Sequence, residues 1–262
     1  MTDSSIVAQG YDAVYEAMPR SPTLLRIWKE KVVGDDYPDD FSHISFLTLA
    51  DLRELAQALS LSKDSAFADL ACGMGGPAMW IARETGACLT GVDFSRVAIT
   101  QAEKRANTLG IPAKFSVGSF ADTGLDAASM DAAMTVDALQ YAPDKTAAIR
   151  EFARIIRPGG TLAFVAFELH PERSIGLPVI GEDRVSDYRP ILEENGFRVV
   201  VYEQTPGWHE RLTAAYGAVI DAEEALKQEM GPLASAAMLS EIRLTLERDL
   251  YTGRGFAVAQ RK

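Results

Sequence analysis

From about residue 60 onward, apolar positions switch repeatedly between two spacings. Short β-prone runs at 66–71 (AFADLA), 88–93 (CLTGVD), 114–118 (KFSVG), 131–137 (DAAMTVD) and 161–167 (TLAFVAF) predict strands. Between them lie segments of helical period. One opens at Ser95 as an N-cap, repeats apolar residues at Ala98, Ala102, Ala106 and Leu109, and stops at Gly110. Another has Pro143 near its first turn, presents Ile149, Phe152, Ala153 and Ile156 on one face, and is ended by Pro158. Strand and helix in this alternation predict an α/β fold, a mainly parallel sheet covered on both faces.

Two stretches leave the alternation. Residues 1–60 read as helices, the clearest starting at Thr48, with Asp51 three positions on and Leu52, Leu55, Ala56 and Leu59 on one side. After a strand-like RVVVYEQT at 198–205, two amphipathic helices broken at Gly231-Pro232 precede a last strand, GFAVAQ, at 255–260. That insertion is too short for a core of its own and is expected to cap the carboxyl edge of the sheet. The expected organisation is a helical lid segment at 1–60, a core at 61–204, a cap at 205–253 and a final core strand at 254–262.

A chain of 262 residues with 47% hydrophobic content has enough apolar material for one large core. Its net charge of -11, with Lys and Arg scattered, lacks the basic stripe that attracts nucleic acid. The amino terminus has no basic start or apolar stretch, and no long uncharged apolar segment follows, so a cytoplasmic protein without membrane insertion is expected. Cys72 and Cys88 make neither a disulfide framework nor a spaced metal site, and no metal is expected. The acids at Asp35, Asp36, Asp39 and Asp40 read as a solvated loop. A small molecule is the expected partner.

The stretch DLACGMGGPAMW at 69–80 gathers Ala71, Gly73, Gly75 and Gly76 between a strand and a helix. In a parallel α/β sheet this first turn lies where ligands bind, and missing side chains let a ligand touch the main chain beside unpaired helix N–H groups. A tight turn under a closely packed helix accounts for the same glycines. Asp93, at the end of the next strand, is placed to accept both hydrogens of a ribose diol, with Ser95 available to cap the helix in its stead. The two features together suit an adenosine-type ligand, NAD and S-adenosylmethionine alike.

The series DLACGMGGPA, GVDFS, DAAMTVDALQYAPD and RPGGTLAFVAF, then a strand, an insertion and a final strand, resembles the class I S-adenosylmethionine-dependent methyltransferases. Within them it is similar to the small-molecule group of sterol C-methyltransferases, tocopherol methyltransferases and the rebeccamycin sugar O-methyltransferase. The resemblance covers roughly 65–262 and is strongest over 66–167. It implies a Rossmann-like seven-stranded sheet, mainly parallel with the last strand antiparallel, and S-adenosyl-L-methionine as cofactor, leaving S-adenosyl-L-homocysteine. It implies that Asp69, Ala71, Cys72, Gly73 and Gly75 line the methionine half, with Tyr11 closing on it. Asp93 would bind the ribose, Phe94 lie beside the adenine, Ser119 and Phe120 flank the adenine edge, and Val136 and Asp137 complete the floor. Ala71 replaces the motif's first glycine at a cost expected to be small, and Ser119 replaces a common aspartate.

In-line methyl transfer needs alignment, exclusion of water and, for a weakly acidic acceptor, a group to take a proton. Where the rebeccamycin-type enzymes carry a histidine pair after the fourth strand, this chain has Gln140-Tyr141, which makes Tyr141 a candidate. His43 in FSHISF and His170 in FELHPERS are the other catalytic candidates, each with a bland alternative: a histidine satisfied by a carbonyl, and a loop residue. His209 reads as a capping or surface residue. Tyr11 reads equally as an aromatic staple with Val14 and Tyr15, and Trp208, Tyr216 and Met230 line an acceptor pocket or belong to ordinary core. The expected activity is methyl transfer to a hydrophobic small molecule, on oxygen ahead of nitrogen or carbon. Two alternatives remain: a non-transfer reaction such as cyclisation on the same fold, and non-catalytic sensing of the cofactor.

Overall fold

The computed structural model describes residues 3–177 and 183–262. Seven strands form one sheet in the order β3-β2-β1-β4-β5-β7-β6, with β1 Ala66–Leu70, β2 Cys88–Asp93, β3 Ala113–Val117, β4 Met130–Val136, β5 Ile156–Leu169, β6 Phe197–Gln204 and β7 Tyr251–Arg261. Strands β1 to β5 are parallel, and β7 runs antiparallel to both β5 and β6. Chain order reverses between β1 and β4. The crevice outside their carboxyl ends is where such sheets take ligands.

Period-two burial splits the strand side chains between two faces. Phe67, Leu89, Met134, Ala163 and Val165 pack under α3 (Leu49–Leu59), α4 (Gly76–Thr85) and α5 (Arg96–Leu109). Ala68, Leu70, Ala133, Phe164 and Ala166 pack under α6 (Lys145–Ile155) and α7 (Arg189–Glu194). A third apolar layer covers the carboxyl edge. It joins α1 (Asp3–Ala17) and α2 (Pro22–Trp28) to α8 (Trp208–Asp221), α9 (Glu223–Met230) and α10 (Pro232–Arg248). The amino-terminal segment therefore divides: α1 and α2 share a core with the cap, while α3 belongs to the sheet. Ser21 and Thr23 hydroxyls donate to Glu229 at 2.6 and 2.7 Å, tying α2 to α9.

Local signals explain most helix ends. Thr48 and Asp51 form a reciprocal capping box at α3, and Ser95 caps α5 with Gly110 left-handed at its end. Thr48→Ala should cost about 1 kcal/mol, read as a lower urea midpoint with an unchanged slope. The start and stop of α6 differ from expectation. Asp144 is its N-cap, accepting from Ala147 N at 2.7 Å, so Pro143 stands outside. The helix ends at Ile155, its C-cap Ile156 is already extended (φ -79°, ψ 132°), and the chain enters β5 there. The cap holds three helices, since the chain also breaks at Ala222, where no glycine or proline announces it.

Candidate functional site

The turn after β1 passes through left-handed conformations at Ala71 (φ 62°), Gly73 (φ 52°) and Gly75 (φ 73°). For Ala71 that geometry costs roughly 1 kcal/mol, so the replacement of glycine there carries a conformational cost that small size does not remove. Cys72 N donates to Val92 O at 3.0 Å and Gly75 N to Cys72 O at 2.8 Å, which fixes the loop against β2. Gly76 serves packing: a Cβ there would stand 2.4 Å from the Phe41 carbonyl oxygen. Pro77 lies in the first turn of α4, whose N-terminus has no side-chain cap.

Two buried carboxylates face this turn. Asp93 accepts Gly73 N at 2.8 Å and Ser95 N at 2.9 Å, so it is less free than the neighbouring N-cap serine suggested, yet a carboxylate retains further lone pairs. Burial raises its pKa, and the two N–H groups pull it back down. Asp69 is 3% exposed and, among the described residues, accepts no hydrogen bond. Burial and the nearby charge of Asp93 push its carboxyl up to about 8.

Helix α1 closes over them. Gly10 lets α1 approach α10, its Cβ position lying 3.3 Å from Ala237 Cβ. Tyr11 then meets Phe94 edge-on at 5.8 Å and Tyr141 at 6.2 Å between centroids, and Asp12 bonds the Ser95 hydroxyl. Tyr15 reaches the turn itself, its hydroxyl 3.0 Å from the Cβ position of Gly73. Beside Tyr11, Tyr141 donates to Glu241 Oε1 of α10 at 2.6 Å.

The floor is occupied by an ion pair. Asp137 (φ 49°) receives Arg254 Nε at 2.8 Å, Arg254 Nη2 at 3.0 Å and Phe46 N at 2.7 Å. Arg254 is fully buried, lies 3.5 Å from Asp51 and donates to Thr205 Oγ1 at 3.2 Å. Above it sit Phe46, Phe167, Trp208, Tyr216 and Tyr251, with Phe167 stacked on Tyr251 at 4.3 Å. Trp208, Tyr216 and Met230 thus all join one apolar layer at the sheet's carboxyl edge.

Ser119 and Phe120 follow Gly118, whose N–H donates to the Asp93 backbone carbonyl at 3.0 Å. Ser119 is exposed in a turn with Asp122, while Phe120 packs on Phe152 at 5.7 Å under the opposite face. Val136 is half-buried at the end of β4. His43 meets Ser45 Oγ at 2.8 Å through Nδ1 and Tyr37 through its ring; burial holds its pKa down at about 3, which makes it a weak proton acceptor. His170 accepts N–H groups of Glu172 and Arg173 within its own turn. His209 is exposed beside Trp208. Among the described residues no cluster suits a metal ion, and no helix is long and apolar enough to cross a membrane.

Sequence reasoning missed Arg254, Glu241 and Tyr15. Arg254 had a signal, a cation inside an apolar strand between two glycines, which demands a buried partner. Glu241 had a weaker one: with Met238 and Thr245 it breaks an otherwise small and apolar helical stripe.

With this geometry in place, residues 67–160 match the family model for a methyltransferase domain. Residues 67–160 carry a methyltransferase domain. Over 203 residues it is 26% identical to 27-O-demethylrifamycin SV methyltransferase of Amycolatopsis mediterranei, covering 72% of each chain. Over 145 residues it is 34% identical to methyltransferase GfsG of Streptomyces halstedii, covering 53% of this chain and about half (52%) of that protein. Among solved structures it is similar to the [4+2]-cyclase SpnF, with TM-score 0.73 and 21% identity over 97% of this chain and 94% of that one. That likeness establishes the shared fold. Solved complexes of this fold hold S-adenosylmethionine or S-adenosylhomocysteine, the methyltransferase's donor and its product.

Proposed function

We propose that the methyltransferase transfers a methyl group to oxygen of a hydrophobic small molecule of the natural-product kind, held between α1, the cap helices and the carboxyl edge of the sheet. The observation that carries the cofactor half is Asp69. A carboxyl that is 3% exposed, beside a second carboxyl and the glycine turn, suits the cationic end of a ligand. The ammonium of the donor's methionine end fits Asp69, and its ribose diol fits the lone pairs left on Asp93. Gly73 and Gly75 supply the left-handed turn, Ala71 and Cys72 shape it, and Tyr11 and Phe94 supply aromatic surface on the lid side.

When bound, S-adenosylmethionine supplies an electrophilic methyl on a positively charged sulfur. The protein's part is to position and to exclude water. Tyr15 covers the turn, α1 seals one side, and the Asp137–Arg254 pair holds the carboxyl end of β4 rigid beneath the aromatic group. Those aromatic walls suit an apolar acceptor. The choice of oxygen is supported by the 27-O-demethyl substrate in the name of the Amycolatopsis relative. Incubation with methyl-labelled S-adenosylmethionine and a panel of hydroxylated apolar compounds tests it. A labelled methyl ether is the expected product; label found only on carbon or nitrogen would remove the oxygen assignment.

A further inference from the structure

The sheet edge and the cap enclose one acidic side chain that neither the glycine turn nor the ion pair uses. Glu241 is half-buried on α10, and its hydrogen-bond partner is the Tyr141 phenol, with the Tyr251 phenol beside that. Tyr141 comes from the segment after β4 and Tyr251 from β7, and Tyr11 of α1 meets the Tyr141 ring at 6.2 Å between centroids. Tyr141 donates to Oε1 at 2.6 Å, and the Tyr251 hydroxyl is 3.5 Å from that of Tyr141. Among the described residues Glu241 makes no ion pair, and the nearest cation of the floor, Arg254, is spent on Asp137 and Asp51. Such an arrangement adds little to stability, because a glutamine would accept the same phenol hydrogen bond without a half-buried charge.

We infer that Glu241, working through Tyr141, takes the proton of the acceptor's hydroxyl. The inference rests on the methyl-transfer reading above. A lone pair of the acceptor oxygen forms the new C–O bond as the methyl carbon's bond to sulfur breaks, and that bonding pair stays on sulfur. The hydroxyl proton moves to the Tyr141 oxygen while Tyr141 passes its own proton to Glu241 Oε1. The products are a methyl ether, a thioether and a neutral carboxylic acid, which returns its proton to water when the site opens. Burial raises the Glu241 pKa, which brings the carboxylate closer to the acceptor in basicity. Tyr141 follows β4 directly and Glu241 comes from the cap, so the relay forms only where α10 is docked on the sheet edge.

The test uses the intact protein, S-adenosylhomocysteine and 4-nitrophenol, whose ionised form absorbs in the visible. Wild type saturated with S-adenosylhomocysteine should bind 4-nitrophenol and ionise it at lower pH than water does. Glu241→Gln and Tyr141→Phe should keep calorimetric affinity for S-adenosylhomocysteine and lose that band. On any acceptor found with the labelled donor, both should transfer methyl about 10²–10⁴-fold more slowly. Glu241→Gln should melt at or above wild type; if it does not fold, Tyr141→Phe carries the test. An unchanged band in the variants, or no binding of 4-nitrophenol by wild type, overturns the inference. Absence of S-adenosylhomocysteine binding by wild type would instead overturn the cofactor reading, and the band measured without it would still judge Glu241.

Discussion

Asp69→Asn should stabilise the cofactor-free protein and, in the same variant, weaken its binding of S-adenosylhomocysteine. The folded carboxyl keeps its proton up to about pH 8, whereas an unfolded one loses it near 3.8. The fold therefore binds more protons across that interval, and stability falls as pH rises through it. At pH 7 the penalty is at most about 4 kcal/mol. Asparagine removes the charge but leaves a buried amide imperfectly paired, so a net gain of about 1–2 kcal/mol is expected, or a rise of roughly 2–6 °C in Tm. Binding should move the other way. A cationic ammonium selects the ionised carboxylate, so wild-type affinity should climb with pH up to about 8, and the variant should lose about 1.5–3 kcal/mol and most of that slope. Thermal melts and calorimetry at several pH values read both effects. A variant that is less stable and binds as well as wild type would remove Asp69 from the site.

Arg254→Met should destabilise the protein by roughly 3–5 kcal/mol in urea unfolding. The guanidinium is fully buried and bidentate on Asp137, and it also lies 3.5 Å from the Asp51 carboxylate of the α3 capping box. Its loss strands Asp137 without a cation and leaves Asp51 with Arg211 alone, 3.7 Å away. The double variant Asp137→Asn/Arg254→Met should recover much of the loss, because a neutral pair no longer strands a charge. If the single variant is as stable as wild type, the floor is solvated and the argument for a rigid, dry end of β4 fails.

How legible this was from sequence varies with the range of the forces involved. Strands β1 to β4 and the caps at Thr48 and Ser95 follow from local periodicity and side-chain hydrogen bonds a few residues apart and were readable to within a few residues, whereas β5 starts at Ile156, ahead of its expected start at 161. The start of α6 was misread because Asp144 and Pro143 are adjacent helix-start signals and the aspartate, which satisfies an N–H, is the one that caps. The break at Ala222 had no local marker and is set by how α8 and α9 pack on α2. The glycine turn and Asp93 were visible because their chemistry is written in one stretch. Arg254 and Asp137 are 117 positions apart, and Tyr141 and Glu241 are 100 apart, so their pairing is a property of topology. Tyr11 was singled out while Tyr15, one helical turn on, reaches the turn more directly, a choice fixed only by the docking of Gly10 on Ala237.

Isothermal titration of the intact protein with S-adenosylhomocysteine, and in parallel with NADH, tests the central claim most directly. Two buried carboxylates on a glycine turn at the β1/β4 reversal predict micromolar binding of the first and none of the second. No heat with S-adenosylhomocysteine would contradict the assignment of this site.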